Sequence, residues 1–328
     1  MKLNLDIWNC RCAYSNGFKP YISIFLIGLC LMFSMKTKSQ GYKKFSNCLI
    51  LTEQAEQRII IVNVTTGDVI WEWRALDSNI KPEHINWFNL PSDAKVVYNG
   101  EYVLMCASGG ACALIRIKDK KTIFYVIGGL NPHSIEILPD GNIVCASSND
   151  SKLTVFKIDT VNFPENILGK SFHNLFAHNV VWDRKRNLLW TASMNKIISY
   201  KYNYLCDDPI LTPYDSLAFN DRSAHDLFPV PKEDALFLTA HNLWRYDLKT
   251  NKVNQIPSKF RNIKSASSES KGKTPVISVP KEQWWTDEII DLEGNIIFRQ
   301  KGYKIYKARW VVFNSFSYKL RDKFRICN

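Results

Sequence analysis

The sequence predicts an all-β protein, a β-propeller of six blades, with seven as the alternative count. Three observations carry this expectation. A small-residue strand recurs five times, a His-led strand precedes most of its copies, and the two chain ends look like halves of one blade. The small-residue strands are Leu51-Thr52-Glu53, Met105-Cys106-Ala107-Ser108, Val144-Cys145-Ala146-Ser147, Trp190-Thr191-Ala192-Ser193 and Leu238-Thr239-Ala240-His241. Self-similarity at a spacing of about 45 residues is the pattern of propeller blades.

The preceding strands begin at His84 (HINWF), His133 (HSIEI), His178 (HNVVW) and His225 (HDLFP). From His to the Cys/Thr position the offsets are 12, 13 and 14 in the last three, and 22 from His84, which implies an insertion around Trp87–Tyr98. Lys264 takes the His place before Val276-Ile277-Ser278-Val279. A further apolar run follows each small-residue strand, among them Ile59–Val64, Leu153–Ile158 and Leu243–Leu248. Turns such as Thr66-Gly67-Asp68 and Glu293-Gly294-Asn295 then lead to a fourth strand, clearest in Val69–Trp73 and Ile296–Arg299. Short strands punctuated by turn residues are an all-β signature.

The body, 45–328, is long enough for about six such units as a single domain. It starts on a second strand, Cys48–Glu53, and ends on a lone first strand within Tyr303–Asn314. Pairing these two closes the ring and leaves no open edge.

Composition agrees. Hydrophobic residues make up 46% and charged residues 23%, which excludes a disordered chain, a collagen or a polytopic membrane protein. The net charge of +12 sits at the ends: residues 1–44 carry seven Lys/Arg against one Asp/Glu, and residues 264–328 carry thirteen against seven. The middle, 45–263, is neutral, so the overall charge says little about the body of the fold.

Tyr21–Met35 holds fifteen uncharged, mostly apolar residues between Lys19 and Lys36. That is short for a membrane span and fits the apolar region of a signal peptide covering 1–39. The expected location is secreted or periplasmic, with no stable span after cleavage. Six Cys follow: Cys48, Cys106, Cys112, Cys145, Cys206 and Cys327. An even count in a secreted chain invites disulfides. Cys106 and Cys145 fall at the same place in the repeat, so they are expected to be unbonded small core residues.

VNVTTGDVIWEW (Val62–Trp73) resembles the blade motif of PQQ-type propeller repeats. NPHSIEILPDGNIVCASSNDSKLTVFKID (Asn131–Asp159), HNVVWD (His178–Asp183) and HDLFPVP (His225–Pro231) resemble a family of secreted bacterial propellers of unknown function, common in Bacteroidota. The resemblance spans 45–314 and implies a fold and a secreted location, but no activity. It does not imply the quinone cofactor either, because the long chain and calcium site of a quinone dehydrogenase are missing.

If the His-led strands are innermost, His84, His133, His178, His225 and Lys264 form a ring at one channel mouth, with Lys307 or Lys304 in the sixth place. Four of the six His in the chain take this position. Repeats also reuse residues for local hydrogen bonds, which is the structural alternative. Neutral imidazoles at His84, His133, His178 and His225 can hold a divalent metal. Two Lys in the ring favour an anion instead: a carboxylate, sulfate or phosphate. The function expected on this basis is binding or processing of an acidic carbohydrate or other anionic small ligand at the mouth. The alternative is a non-catalytic interaction or glycan-binding scaffold.

Weaker features complete the reading. Glu136 is a candidate acid, although strand alternation can turn it away. Trp284-Trp285 can stack on a sugar but also suits blade packing, and Asp207-Asp208 reads as a solvated turn. The basic and aromatic end, SYKLRDKFRICN, reads as a solvated face rather than a nucleic-acid site. No phosphate loop, CxxC, HExxH or GxSxG is present in the sequence.

Overall fold

The computed structural model describes residues 40–269 and 275–327, so the expected signal segment lies outside the described residues. The described residues form six four-stranded antiparallel sheets. Their first strands are Ile305–Trp310, Pro91–Val97, Pro132–Ile137, Val181–Asp183, Asp226–Pro229 and Ser265–Ser267. These strands touch one another in ring order, and the blades are numbered one to six in that order. The expected six-bladed propeller is therefore the fold. No helix among the described residues is long and apolar enough to cross a membrane.

Ring closure has the expected form. Ile305–Trp310 pairs antiparallel with Cys48–Glu53, with Leu49 opposite Trp310 and Leu51 opposite Ala308. The last strand thus becomes the innermost strand of the blade that the chain begins.

The burial pattern follows from stacking blades face to face. In Cys48–Glu53, Tyr102–Ala107, Ile143–Ser147, Leu188–Ser193 and Ala235–Thr239 every residue is buried, because both faces meet a neighbouring blade. The outer strands Gly169–His173 and Leu211–Ala218 are largely exposed. Among the described residues the apolar core divides into six clusters, one per interblade interface.

One of these interfaces corrects the repeat alignment. Cys106 and Cys112 of blade two meet Cys145 of blade three in a single cluster, and none of the three is bonded. Strand register explains why they face each other. Cys106 pairs with Asp93, whereas the corresponding partner of Ser134 is Ala146, so Cys145 sits one step farther along its strand. A one-residue step turns a side chain to the opposite face. Cys106 and Cys145 are unbonded as expected, but they are not equivalent.

The C-terminal segment also departs from expectation. It is not a solvated face, because Ser317, Tyr318 and Cys327 are buried. The Phe316 carbonyl accepts from the Arg184 N–H, Phe324 packs edge-on against Tyr98, and Arg325 donates to the Pro139 carbonyl. A disulfide between Cys206 and Cys327 fastens its end to blade four across 121 residues.

Candidate ligand site at the channel mouth

Each inner strand begins with an irregularity that decides where its side chains go. Pro91 and Asp93 pair with Ala107 and Cys106, which leaves Ser92 as the extra residue. Pro132 and Ser134 pair with Ser147 and Ala146, which leaves His133. His225 donates its N–H to the Thr239 carbonyl while Asp226 also stands opposite Thr239. Lys264 and Ser265 share Ser278 in the same way. Two residues opposing one is a β-bulge, and it interrupts the strict alternation of side chains. Two consecutive residues can therefore both serve the channel. In blade four the Asn179 amide bonds the backbone of Ala192 at this place instead.

The first residues of these pairs form the mouth. His133, His178, His225, Lys264 and Tyr306 line one cavity of about 610 Å³, together with Gln54, Leu130, Asn131, Asn149 and Trp284. The His133 and His178 rings stack at 4.3 Å, and His178 meets His225 edge-on at 5.4 Å. Tyr306 Oη lies 3.3 Å from His133 Nδ1, and His178 Nδ1 lies 3.1 Å from the Phe176 carbonyl oxygen. Lys264 Nζ sits 2.9 Å from His225 Nε2. At the rim Trp284 is 42% exposed, and its indole N–H donates to Gln54.

Two residues expected in the ring stand elsewhere. His84 lies in a 3-10 helix, Pro82–Phe88, that precedes the inner strand. There it stacks on Trp87 at 3.7 Å and meets the Tyr125 hydroxyl. The extra residues counted from His84 are largely this helix and its exit, and Ser92 holds the ring position, with its hydroxyl turned to the Pro132 carbonyl. Lys307 lies one layer below the mouth, where it is buried, and Tyr306 takes the place expected for it. Lys304 lies over the Trp285 ring.

Beneath the mouth the channel is filled with paired charge. Arg309 donates to both Asp93 and Asp226 at 2.8 Å. Lys307 Nζ donates to Asp226 and to the His133 carbonyl. Lys95 reaches Glu136 at 3.3 Å, and the Tyr318 hydroxyl donates to the same carboxylate. Three cations and three carboxylates thus seal the middle of the channel, and Glu136 belongs to this layer rather than to the mouth. Burial alone would raise Asp93, but Arg309, Lys307 and Lys95 hold it well below the usual carboxylate range. Asp93, Asp226, Lys95 and Arg309 were missed because each lies one or three residues from a ring residue, where simple alternation turns it to the other face. Aligning Ala94, Ala266 and Ala308 would have found them.

The mouth has the opposite electrostatics. Burial pushes His178 down to about 3, against the opposing pull of the Phe176 carbonyl and helped by Lys307 and Lys264. Burial, with neighbouring His and Lys, also carries His133 and His225 well below the ordinary value. All three imidazoles are neutral near pH 7. Burial and then Lys307 bring Lys264 down to about 8. Burial, with Asp226, Cys106 and Asp93, pushes Tyr306 up, so its hydroxyl stays protonated. Among the described residues no Asp or Glu lines the cavity, and Lys264 has no carboxylate partner.

A metal fits the ring poorly. Among the described residues the one set of three metal-type ligand atoms within 4.8 Å of one another is Asp140, Cys206 and Cys327, whose sulfurs are joined in the disulfide. The mouth imidazoles do not converge that closely, and His84 is apart from them. The Asp207-Asp208 pair forms surface ion pairs with Lys157 and Lys170.

Fold and site together define a six-bladed propeller with a cationic, imidazole-lined pocket at one mouth and an ion-sealed channel below. Residues 34–328 match the Family of unknown function (DUF6528), and the chain belongs to that family. No curated protein matches. Among solved structures, the β-propeller domain of Cps50 (Swd1) from Myceliophteria thermophila is 12% identical with a TM-score of 0.54; the match covers 81% of this chain and 84% of that one. It supports the fold alone. Hydrazine synthase from Kuenenia stuttgartiensis is 15% identical with a TM-score of 0.48, covering 75% of this chain and 74% of that one. Dihydro-heme d1 dehydrogenase NirN is 14% identical with a TM-score of 0.46, and the match covers 80% of this chain and 53% of that one.

Proposed function

We propose that the channel mouth binds the acidic group of a small anionic ligand, an acidic carbohydrate above all. The observation that carries this reading is Lys264, a cation that lines an open cavity without a carboxylate to neutralise it. Three neutral imidazoles, Asn131, Asn149 and the Tyr306 hydroxyl surround it with polar groups suited to sugar hydroxyls. The indole of Trp284, held at the rim by Gln54, offers a flat apolar face beside them. Among the described residues the lining holds no pair of carboxyl groups such as ordinary glycoside hydrolysis uses, so the reading is of binding. A secreted or periplasmic location is part of the proposal, supported by the Cys206–Cys327 disulfide.

The test is calorimetry with uronate-containing oligosaccharides and their neutral counterparts. Acidic ligands are expected to bind. Lys264→Met should weaken them about tenfold to a hundredfold, the scale of one hydrogen bond to a charged group. Equal affinity for neutral and acidic sugars would refute the reading.

A further inference from the structure

Lys264 has a second use that the anion reading does not require. Its amine faces the cavity beside one titratable partner, His225 Nε2, at 2.9 Å. The other nitrogen of that ring, Nδ1, is buried without a hydrogen-bond partner among the described residues. If Lys264 donated to Nε2, the imidazole hydrogen would sit on Nδ1 and be orphaned. In the deprotonated form of Lys264, the minority form near pH 7 with the amine at about 8, that orphan is avoided: the imidazole hydrogen sits on Nε2 and the neutral amine accepts it. The other charged and titratable groups nearby push the same way. Lys307 lies below, and His178 and His133 continue the ring on the far side of His225, all three neutral or positive.

We propose that Lys264 forms an imine with a small carbonyl compound bearing an adjacent carboxylate, a 2-oxo acid, with His225 as the proton relay. The preference for a carboxylate beside the carbonyl rests on the anion reading; the imine itself does not. The Lys264 nitrogen bonds to the carbonyl carbon, and the C=O π pair moves to oxygen. His225 Nε2–H supplies a proton to that oxygen and takes one back from the nitrogen. His225 Nε2–H then gives a proton to the carbinolamine hydroxyl, which leaves as water while the nitrogen lone pair completes the C=N bond, and the remaining N–H proton returns to His225. Amine and carbonyl give imine and water, and nothing is oxidised or reduced. Lysines made neutral by burial or by a neighbouring cation are the ones that do this chemistry.

The experiment is reductive trapping on the full chain with glyoxylate and cyanoborohydride, read by peptide mapping. Cyanoborohydride reduces the imine to a stable carboxymethyl amine. Lys264 should be labelled on the order of a hundredfold faster than solvent lysines at pH 7, the ratio of neutral amine fractions at about 8 and at the ordinary 10.4. His225→Gln should slow labelling at Lys264 about tenfold and leave other lysines unchanged. If that variant does not fold, the wild-type pH profile serves instead: labelling at Lys264 should level off near pH 8 while surface lysines keep rising. Labelling spread evenly over the lysines, or a Lys264 profile that tracks theirs, overturns the imine. Acetaldehyde separates the two readings. Fast labelling of Lys264 by acetaldehyde with no advantage for glyoxylate keeps the imine and removes the anion preference.

Discussion

The two levels of the channel are built from neighbouring residues of the same strands, yet they differ in every electrostatic respect. At the mouth, Lys264 stands among neutral imidazoles without a counter-charge. One layer down, Lys307, Arg309 and Lys95 are matched by Asp226, Asp93 and Glu136. A buried charge must be paired or pay a desolvation cost. The lower layer therefore reads as structure, and the unpaired lysine above it reads as a place for a ligand.

The largest effect expected is on the lower layer and ring closure together. Truncation after Gly302 removes Ile305–Trp310 and with it Lys307 and Arg309, leaving Cys48–Glu53 with an open edge. Circular dichroism should show loss of the cooperative fold. Truncation after Asn314 keeps the strand and should leave a folded, weaker ring. If both truncations melt like the full chain, the closure account fails.

Next comes Arg309→Met. It strands two buried carboxylates and should cost about 3–5 kcal/mol in urea unfolding, whereas Lys264→Met at the mouth should leave stability nearly unchanged or raise it. Comparable losses from both would erase the distinction between the two levels. Cys327→Ser releases the tail from blade four and should cost about 2–5 kcal/mol, since the bridge closes a loop of 121 residues. An unchanged urea midpoint would show that packing alone holds the tail.

A smaller effect separates the levels by pH. His178 takes a proton near 6.5 when unfolded and near 3 when folded. Between those values the unfolded chain binds more protons, so stability falls as pH drops from 6.5 toward 3, by about 1.4 kcal/mol per unit at most. Asp93, held low, contributes stability above about 3.9 that disappears only as pH falls through its depressed folded value. Acidification should thus weaken the mouth before the sealed layer. His178→Gln should lessen the decline between pH 6.5 and 4 by its own share, with His133 and His225 supplying the rest, and leave the steeper loss below it.

The fold was legible because small-residue strands and turns recur at a regular spacing, and the ends of the chain complement each other. His133, His178, His225 and Lys264 were legible for the same reason. His84 was misplaced because the repeat was counted through a 3-10 helix that sequence offsets cannot distinguish from a strand insertion. Tyr306 and Lys307 were exchanged, and Asp93, Asp226 and Arg309 missed, because bulges break the two-residue alternation on which strand reading depends. The tail was misread because its composition is polar, whereas its burial comes from Tyr318, Phe324 and a disulfide partner 121 residues away.

The most direct measurement is the pH dependence of anion affinity, by calorimetry with a uronate oligosaccharide from pH 6 to 10. Lys264 titrates at about 8 in the free protein, and on the proposed reading only its protonated form attracts the ligand. Affinity should be level below about 8 and then fall about tenfold per pH unit, with Lys264→Met weak and flat throughout. Binding that ignores pH across this range, or that survives in Lys264→Met, would contradict a ligand site built on this lysine.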